Sequence, residues 1–160
     1  MANRAKSLAD KLVSEGERTL AYYQALLATA WQQPIYGAGA NWTLRDVFEH
    51  LIISETSLQQ LFQRIVSTGA GIEDGFNIDQ FNAEHTRELS ALSMDELSQH
   101  YTQTRQRTAD FTRNLTDEQL AIRARHPAIG DSALEDMLKL IYLHHSMHMR
   151  DVKKSVSPST

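Results

Sequence analysis

Trp42-Thr43-Leu44-Arg45-Asp46-Val47-Phe48-Glu49-His50-Leu51 reads as the opening of a long amphipathic helix. Thr43 with Asp46 three residues on resembles a capping box, in which each side chain meets a backbone N–H that the first turn leaves unpaired. Beyond it Val47, Leu51, Leu58, Leu61, Phe62 and Ile65 recur at three- and four-residue steps, and the pattern stops near Gly69. Upstream, Leu8, Leu12, Leu20, Tyr23 and Leu26 predict a first helix over roughly Asn3 to Trp31, with Gly16 inside it and a loop over Gln32 to Gly39. Downstream, Ser93 with Glu96 opens a third helix whose inward face is Leu97, Tyr101, Thr104/Arg105, Thr108, Phe111 and Leu115. Thr116 and Gln119 cap a small turn of helix. Ser132 with Glu135 reads as the clearest capping box of all and starts a last helix running to about Val152.

Between the second and third helices lie a Gly-rich connection from Gly69 to Gly75 and a shorter amphipathic piece around Ile78 to Leu89. That is too long for a tight helical hairpin and implies a crossover. The three prolines, Pro34, Pro127 and Pro158, fall where the periodicity also fails, and no stretch alternates with period two. The expectation is an all-α four-helix bundle with a long crossover between helices 2 and 3, one domain over 1–154, and a frayed tail at 155–160.

At 160 residues the chain fits a single domain, and 41% hydrophobic residues suffice for a core. Sixteen Lys and Arg against twenty Asp and Glu leave a net charge of −4, which works against nucleic-acid binding. Cysteine is absent, so disulfides, thiolate metal ligands and a protein thiol nucleophile are excluded. No run approaches the ~20 apolar residues that span a bilayer. The first residues lead into an amphipathic stretch, so a cytoplasmic protein without membrane partners is expected.

Three of the seven histidines fall in Leu143-His144-His145-Ser146-Met147-His148-Met149. Residues four apart on a helix differ by about 40° in azimuth and one turn in height, so His144 and His148 can grip one ion. His145 is turned about 100° from His144 and makes a poorer pair with His148. Such a pair alone reads equally well as two surface imidazoles favoured by the helix C-terminus. Burial shifts the balance, because these rings interrupt the face of Leu134, Leu138 and Ile141, where unpaired imidazoles cost about 1–3 kcal/mol each. His50 lies on the stripe of Val47 and Ser54 and by itself would be a hydrogen-bonded core histidine. Together, one histidine from one helix and two from another make a three-nitrogen site with a coordination position left over. A divalent metal is implied, Zn(II) or Ni(II) first, with Fe(II), Co(II) and Mn(II) also accepting imidazole.

Trp42-Thr43-Leu44-Arg45-Asp46-Val47-Phe48-Glu49-His50 is similar to the early histidine motif of the DinB/YfiT-like superfamily of four-helix-bundle metalloproteins, and His144-x-x-x-His148 resembles its second motif. The resemblance covers about residues 8 to 153. It implies an up-down-down-up bundle, often a homodimer, with His50, His144 and His148 as ligands. It also implies thiol-dependent S-transfer or isomerisation, as in mycothiol-dependent maleylpyruvate isomerase and the bacillithiol S-transferases, with the metal activating a low-molecular-weight thiol. Many members carry His-His-Arg-Gly-Gln where this chain reads His148-Met149-Arg150-Asp151, so the second motif can align one residue away, with His145 as the fallback ligand.

A thiol arriving as cosubstrate suits a chain without cysteine, and a divalent cation favours its deprotonated form. Without a thiol, ion-activated water would make the same site a hydrolase acting on a small-molecule substrate. The rival readings are a non-catalytic metal- or ligand-binding module, with Asp151 or Glu55 closing the fourth position of a metal. Arg105 and Asn82 are candidates for the mouth of the pocket, Arg105 as partner of an anionic substrate; an ion pair of Arg105 with Glu55, Asp46 or a loop carboxylate is the better reading. His85, His100 and His126 read as surface or loop residues, and Trp31, Trp42, Tyr22 and Tyr36 as packing or rim aromatics.

Overall fold

Side-chain caps set where the long helices begin. In the computed structural model, which describes residues 3–26, 28–37 and 39–156, Asn3 accepts the Lys6 N–H at the start of α1, Arg4–Gln24. Complete capping boxes, Thr43 with Asp46 and Ser93 with Glu96, open α2, Leu44–Thr68, and α4, Met94–Arg113. Gly69, at φ 74°, ends α2 in the left-handed conformation that glycine adopts without steric cost. A short α3, Ile78–His85, lies in the crossover; a single turn, α5, Asp117–Leu120, follows α4; and α6 runs Leu134–Val156. Two small antiparallel pairs complete the chain: β1, Pro34–Tyr36, with β2, Trp42–Thr43, and β3, Arg123–His126, with β4, Gly130–Ala133.

Two apolar clusters give the helix directions. One joins Tyr23 near the end of α1, Phe48 and Leu51 from the first half of α2, Tyr101 from the first half of α4 and Val152 from the last turns of α6. The other joins Leu8 near the start of α1, Phe62 and Ile65 near the end of α2, Ala109 toward the end of α4 and Leu134 at the start of α6. Thus α1 and α6 run one way and α2 and α4 the other, an up-down-down-up bundle in which α1 and α2 each pack on α4 and α6. Because α2 and α4 are parallel, the chain must travel back along the 25-residue α2, about 38 Å, before α4 can begin. That return is the crossover. It is strapped to the β3–β4 hairpin where Ile72 N–H donates to Arg125 O at 2.8 Å and Arg125 pairs with Asp74.

The structure departs from the periodicity in four places. The first helix stops at Gln24 rather than Trp31, and a 3₁₀ turn, Ala28–Gln32, follows. This turn lets the Trp31 ring pack 5.5 Å from that of Phe48, a tertiary contact that outweighs helix propensity. The two hairpins went unseen because β1 and β2 are very short and the inward residues of β3 are Ala124 and His126, which carry little apolar signal. Ser132 is not a helix cap: it sits in β4 with its hydroxyl donating to Gly130 O, and α6 opens directly from the strand as Leu134 N–H donates to Ile122 O. Finally, α6 continues to Val156, two residues into the expected tail, while 157–160 lie outside the described residues.

Between the apolar ends the bundle carries a buried polar layer. Arg105 of α4 pairs with Glu55 of α2 at 2.9 Å, donates to Leu12 O of α1 at 2.8 Å and to His145 Nδ1 of α6 at 2.9 Å. Thr108 donates to the same Glu55 carboxylate at 2.7 Å. A buried pair gains stability only when its remaining donors and acceptors are satisfied, and here one guanidinium reaches all four long helices, its own included.

Gly16 makes room for that guanidinium, since a Cβ there would stand 2.7 Å from Arg105 Cγ and 2.9 Å from its Nη1. Replacing a helical glycine by alanine ordinarily stabilises by ~0.5–1 kcal/mol. Here Gly16→Ala is expected to cost about 1–3 kcal/mol in urea unfolding, because Arg105 is pinned and cannot step aside. A stabilised Gly16→Ala would contradict this packing.

Candidate metal centre

His50 sits on the second turn of α2, and His144 and His148 stand one turn apart on α6. The bundle brings all three together: His50 Nε2 lies 3.2 Å from His144 Nε2, which lies 2.9 Å from His148 Nε2. Each ring offers one nitrogen to a group whose atoms all lie within 4.8 Å of one another. His144 Nε2 faces two other ring nitrogens, yet one ring nitrogen holds at most one proton. At most one of its two short contacts can therefore be a linear N–H···N hydrogen bond, whereas a cation among the rings would take a lone pair from each. Two nitrogens ~2.1 Å from a shared ion stand about 3.0 Å apart at right angles and about 3.4 Å apart at the tetrahedral angle, so the spacing fits a histidine-rich metal-binding site.

Protonation favours the same reading. Burial, reinforced by His144 and His148, lowers the His50 pKa to about 2. Burial lowers His144 to about 4 and, with His144 adding to it and Asp151 opposing, His148 also to about 4. All three rings are neutral at pH 7, as metal ligands must be.

Tyr36 of β1 orients one of them. Its hydroxyl donates to Asp151 Oδ2 at 2.7 Å and lies 2.8 Å from His148 Nδ1. With its own proton committed to Asp151, the hydroxyl accepts from His148 Nδ1–H, which leaves the Nε2 lone pair directed into the cluster. Burial, and then Asp151, push the Tyr36 pKa far upward, so the phenol keeps its proton. Tyr36 was expected only as a packing or rim aromatic, and no spacing marks it, because the β1–β2 pair that positions it is itself faint in the sequence. On the other side, the Trp42 ring packs 4.8 Å from that of His50.

The remaining candidates separate cleanly. His145 is one position too far round α6: it is buried, accepts at Nδ1 from Tyr101 and Arg105, both at 2.9 Å, and lies in the polar layer rather than in the three-ring group. Arg105 belongs to that layer too: it forms the ion pair with Glu55 that the sequence favours and does not line the cavity. Asn82 does line the cavity beside the three imidazoles. His126 corrects the expectation of a surface residue: it is 3% exposed at the end of β3 and also lines that cavity. Its Nδ1 accepts the Ala128 N–H at 3.0 Å, so the neutral ring carries its proton on Nε2, which has no partner among the described residues. Both proposed closers of a fourth position are occupied elsewhere, Glu55 by Arg105 and Thr108, Asp151 by Tyr36.

The cavity has a volume of about 540 Å³ and runs between α2, α3, the β3–β4 turn and α6, with His50, His144 and His148 in its wall. That size is typical of small-molecule sites.

The profile of the DinB superfamily matches residues 37–152. Among solved structures, the chain is similar to YfiT from Bacillus subtilis, described as "a probable metal-dependent hydrolase with an unusual four-helix bundle topology". The two share 17% identity with a TM-score of 0.74, over 96% of this chain and 86% of that one. At that identity the likeness shows the fold. No curated protein matches the chain.

Elemental analysis of untagged protein is expected to find one divalent ion per chain in the wild type and almost none in His148→Ala. Tyr36→Phe should bind the same ion ~10–100-fold more weakly, the usual effect of removing a group that orients a ligand. Equal metal in wild type and His148→Ala would remove the site.

The buried imidazoles also set an acid limit on the metal-free fold. His50, His126, His144 and His148 all hold pKa values lowered from the usual 6.5. The unfolded chain therefore takes up protons that the native rings refuse. Stability is complete above about pH 7 and declines as pH falls from 6.5 toward 4, by about 1.4 kcal/mol per pH unit for each ring. Urea titrations of metal-free protein between pH 7.5 and 5 check this, and a flat profile would contradict it.

Proposed function

This chain belongs to the DinB superfamily, and from its histidine-rich site we propose that it is a metal-dependent hydrolase acting on a small molecule. The observation that carries this reading is an open three-nitrogen site: His50, His144 and His148 meet in the wall of a cavity of about 540 Å³, and both nearby carboxylates are engaged elsewhere. A purely structural site is closed by a fourth protein ligand, whereas a catalytic one keeps a position free. The description of YfiT as a probable metal-dependent hydrolase supports the same chemistry for a chain of this fold.

The three neutral imidazoles would hold the ion, Zn(II) or Ni(II) before Fe(II), Co(II) or Mn(II). A divalent ion there supplies Lewis acidity and allows a nucleophile to form at neutral pH. The Asp151–Tyr36–His148 chain keeps the His148 proton on Nδ1 and the ring in place. Trp42 packs on His50 and covers one flank of the site. His126 adds a neutral imidazole ring to the cavity wall. Thiol transfer, implied by resemblance to the S-transferases, uses the same ion. It requires a cosubstrate thiol, and a thiol that carries carboxylates would find no Lys or Arg among the cavity-lining residues.

Metal-reconstituted protein is expected to cleave neutral nitrophenyl esters without added thiol, and His144→Ala to lose at least ~100-fold in kcat/KM, the scale of losing an electrostatic catalyst. Turnover that appears only with added thiol would assign transfer chemistry instead. No turnover under either condition, with metal bound, would leave a binding module.

A further inference from the structure

Among the described residues, the large apolar side chains that the fold leaves in water are not scattered. Phe76, Ile78, Ile129, Leu143 and Met147 are each between 40% and 55% exposed. All five line the cavity that holds the three imidazoles. They come from three separate parts of the chain: Phe76 and Ile78 from the crossover into α3, Ile129 from the β3–β4 turn, and Leu143 and Met147 from α6. Solitary exposed hydrophobes need no explanation, but a set gathered from distant segments around one concavity marks a binding surface.

Deeper in, Leu58, Phe81, Leu140 and Ile141 continue the same surface, and no Lys, Arg, Asp or Glu lines the cavity among the described residues. The nearby cations are held elsewhere: Arg125 by Asp74, Arg87 by Asp46 and Arg105 by Glu55. The polar members are Ser54, Ser57, Asn82 and the imidazoles. Away from an ion held by the imidazoles, a charged group lying along this wall would lose its hydration and meet no countercharge, which is costly. The polar pocket between α1 and α4, lined by Gln24, Asp95, Ser98, Gln99, Thr102 and Gln103, shows that apolar lining is not the general character of this surface.

We propose that this cavity takes a largely apolar small molecule, such as an acyl or aryl compound whose chain lies across Phe76, Ile129, Leu143 and Met147 while its polar end meets the imidazoles. As a statement of substrate class, this rests on the hydrolytic reading above. The apolar surface suits a small molecule better than a second copy of the chain. The volume lies in the small-ligand range, and five exposed hydrophobes fall well short of the roughly 20–30 residues a side of a stable protein interface.

The test uses full-length, metal-loaded protein and the neutral fluorophore N-phenylnaphthylamine, displaced by octanamide or by acetamide. Octanamide is expected to compete at least ~10-fold better than acetamide, since the two share a head group and only the longer chain reaches the apolar wall. Leu143→Lys and Met147→Lys, both at exposed positions, should each reduce that preference ~3-fold or more, with the helical circular dichroism unchanged. In the neutral nitrophenyl ester series, kcat/KM should rise about 4-fold for each of the first few methylenes, the equivalent of ~0.8 kcal/mol per buried CH₂. Equal displacement by acetamide, or a preference untouched in both lysine variants, would overturn the proposal. So would absence of fluorophore binding, or a dimer in sedimentation whose formation abolishes it, which would give the apolar rim to a second copy. Preserved binding preference without ester cleavage would reject hydrolysis and leave the ligand class standing.

Discussion

Three neutral imidazoles pressed together inside a helix bundle are the constraint around which the rest is arranged. Their Nε2 atoms lie 2.9 and 3.2 Å apart in consecutive pairs. Burial holds their pKa values down, so each ring carries a single proton at neutral pH. One proton on the central nitrogen cannot make good hydrogen bonds to both neighbours, whereas a cation takes a lone pair from all three rings. The fold sustains it by fixing each ring from outside: His148 through Tyr36 and Asp151, and His50 against Trp42.

The neighbouring polar layer has a different task. His144 and His145 are adjacent in sequence, yet one turns toward the cavity and the other toward Arg105, Tyr101 and Glu55, because successive helix positions differ by about 100°. By occupying Glu55, Arg105 keeps that carboxylate away from the three-ring site, and Tyr36 does the same for Asp151. Neither carboxylate joins the three imidazoles. The same commitment of Arg105 leaves the cavity without a guanidinium, and its wall is largely apolar.

Much of this was legible because helices translate spacing into geometry. The boxes at Thr43 and Ser93, the stop at Gly69 and the length of the segment before Ser93 were enough for four helices and one crossover. Spacing failed where tertiary contact took over. Trp31 packs on Phe48 through a 3₁₀ turn rather than extending α1, and Ser132 entered a hairpin although its pattern matched a cap. Tyr36 and His126 were missed because short strands place them, and the inward positions of those strands carry almost no apolar alternation.

The amino-acid sequence by itself determined the helical class, the absence of any thiol ligand and the candidacy of His50, His144 and His148, since each follows from residue type and from a period local to one helix. Only the tertiary structure decided which rings share one centre, that Asp151 and Glu55 stand aside, and that five exposed hydrophobes surround a single cavity. Those outcomes depend on the relative rotation and antiparallel placement of α2 and α6 with the segments between them. No spacing within one helix can encode that, because it is set by how whole faces pack against each other.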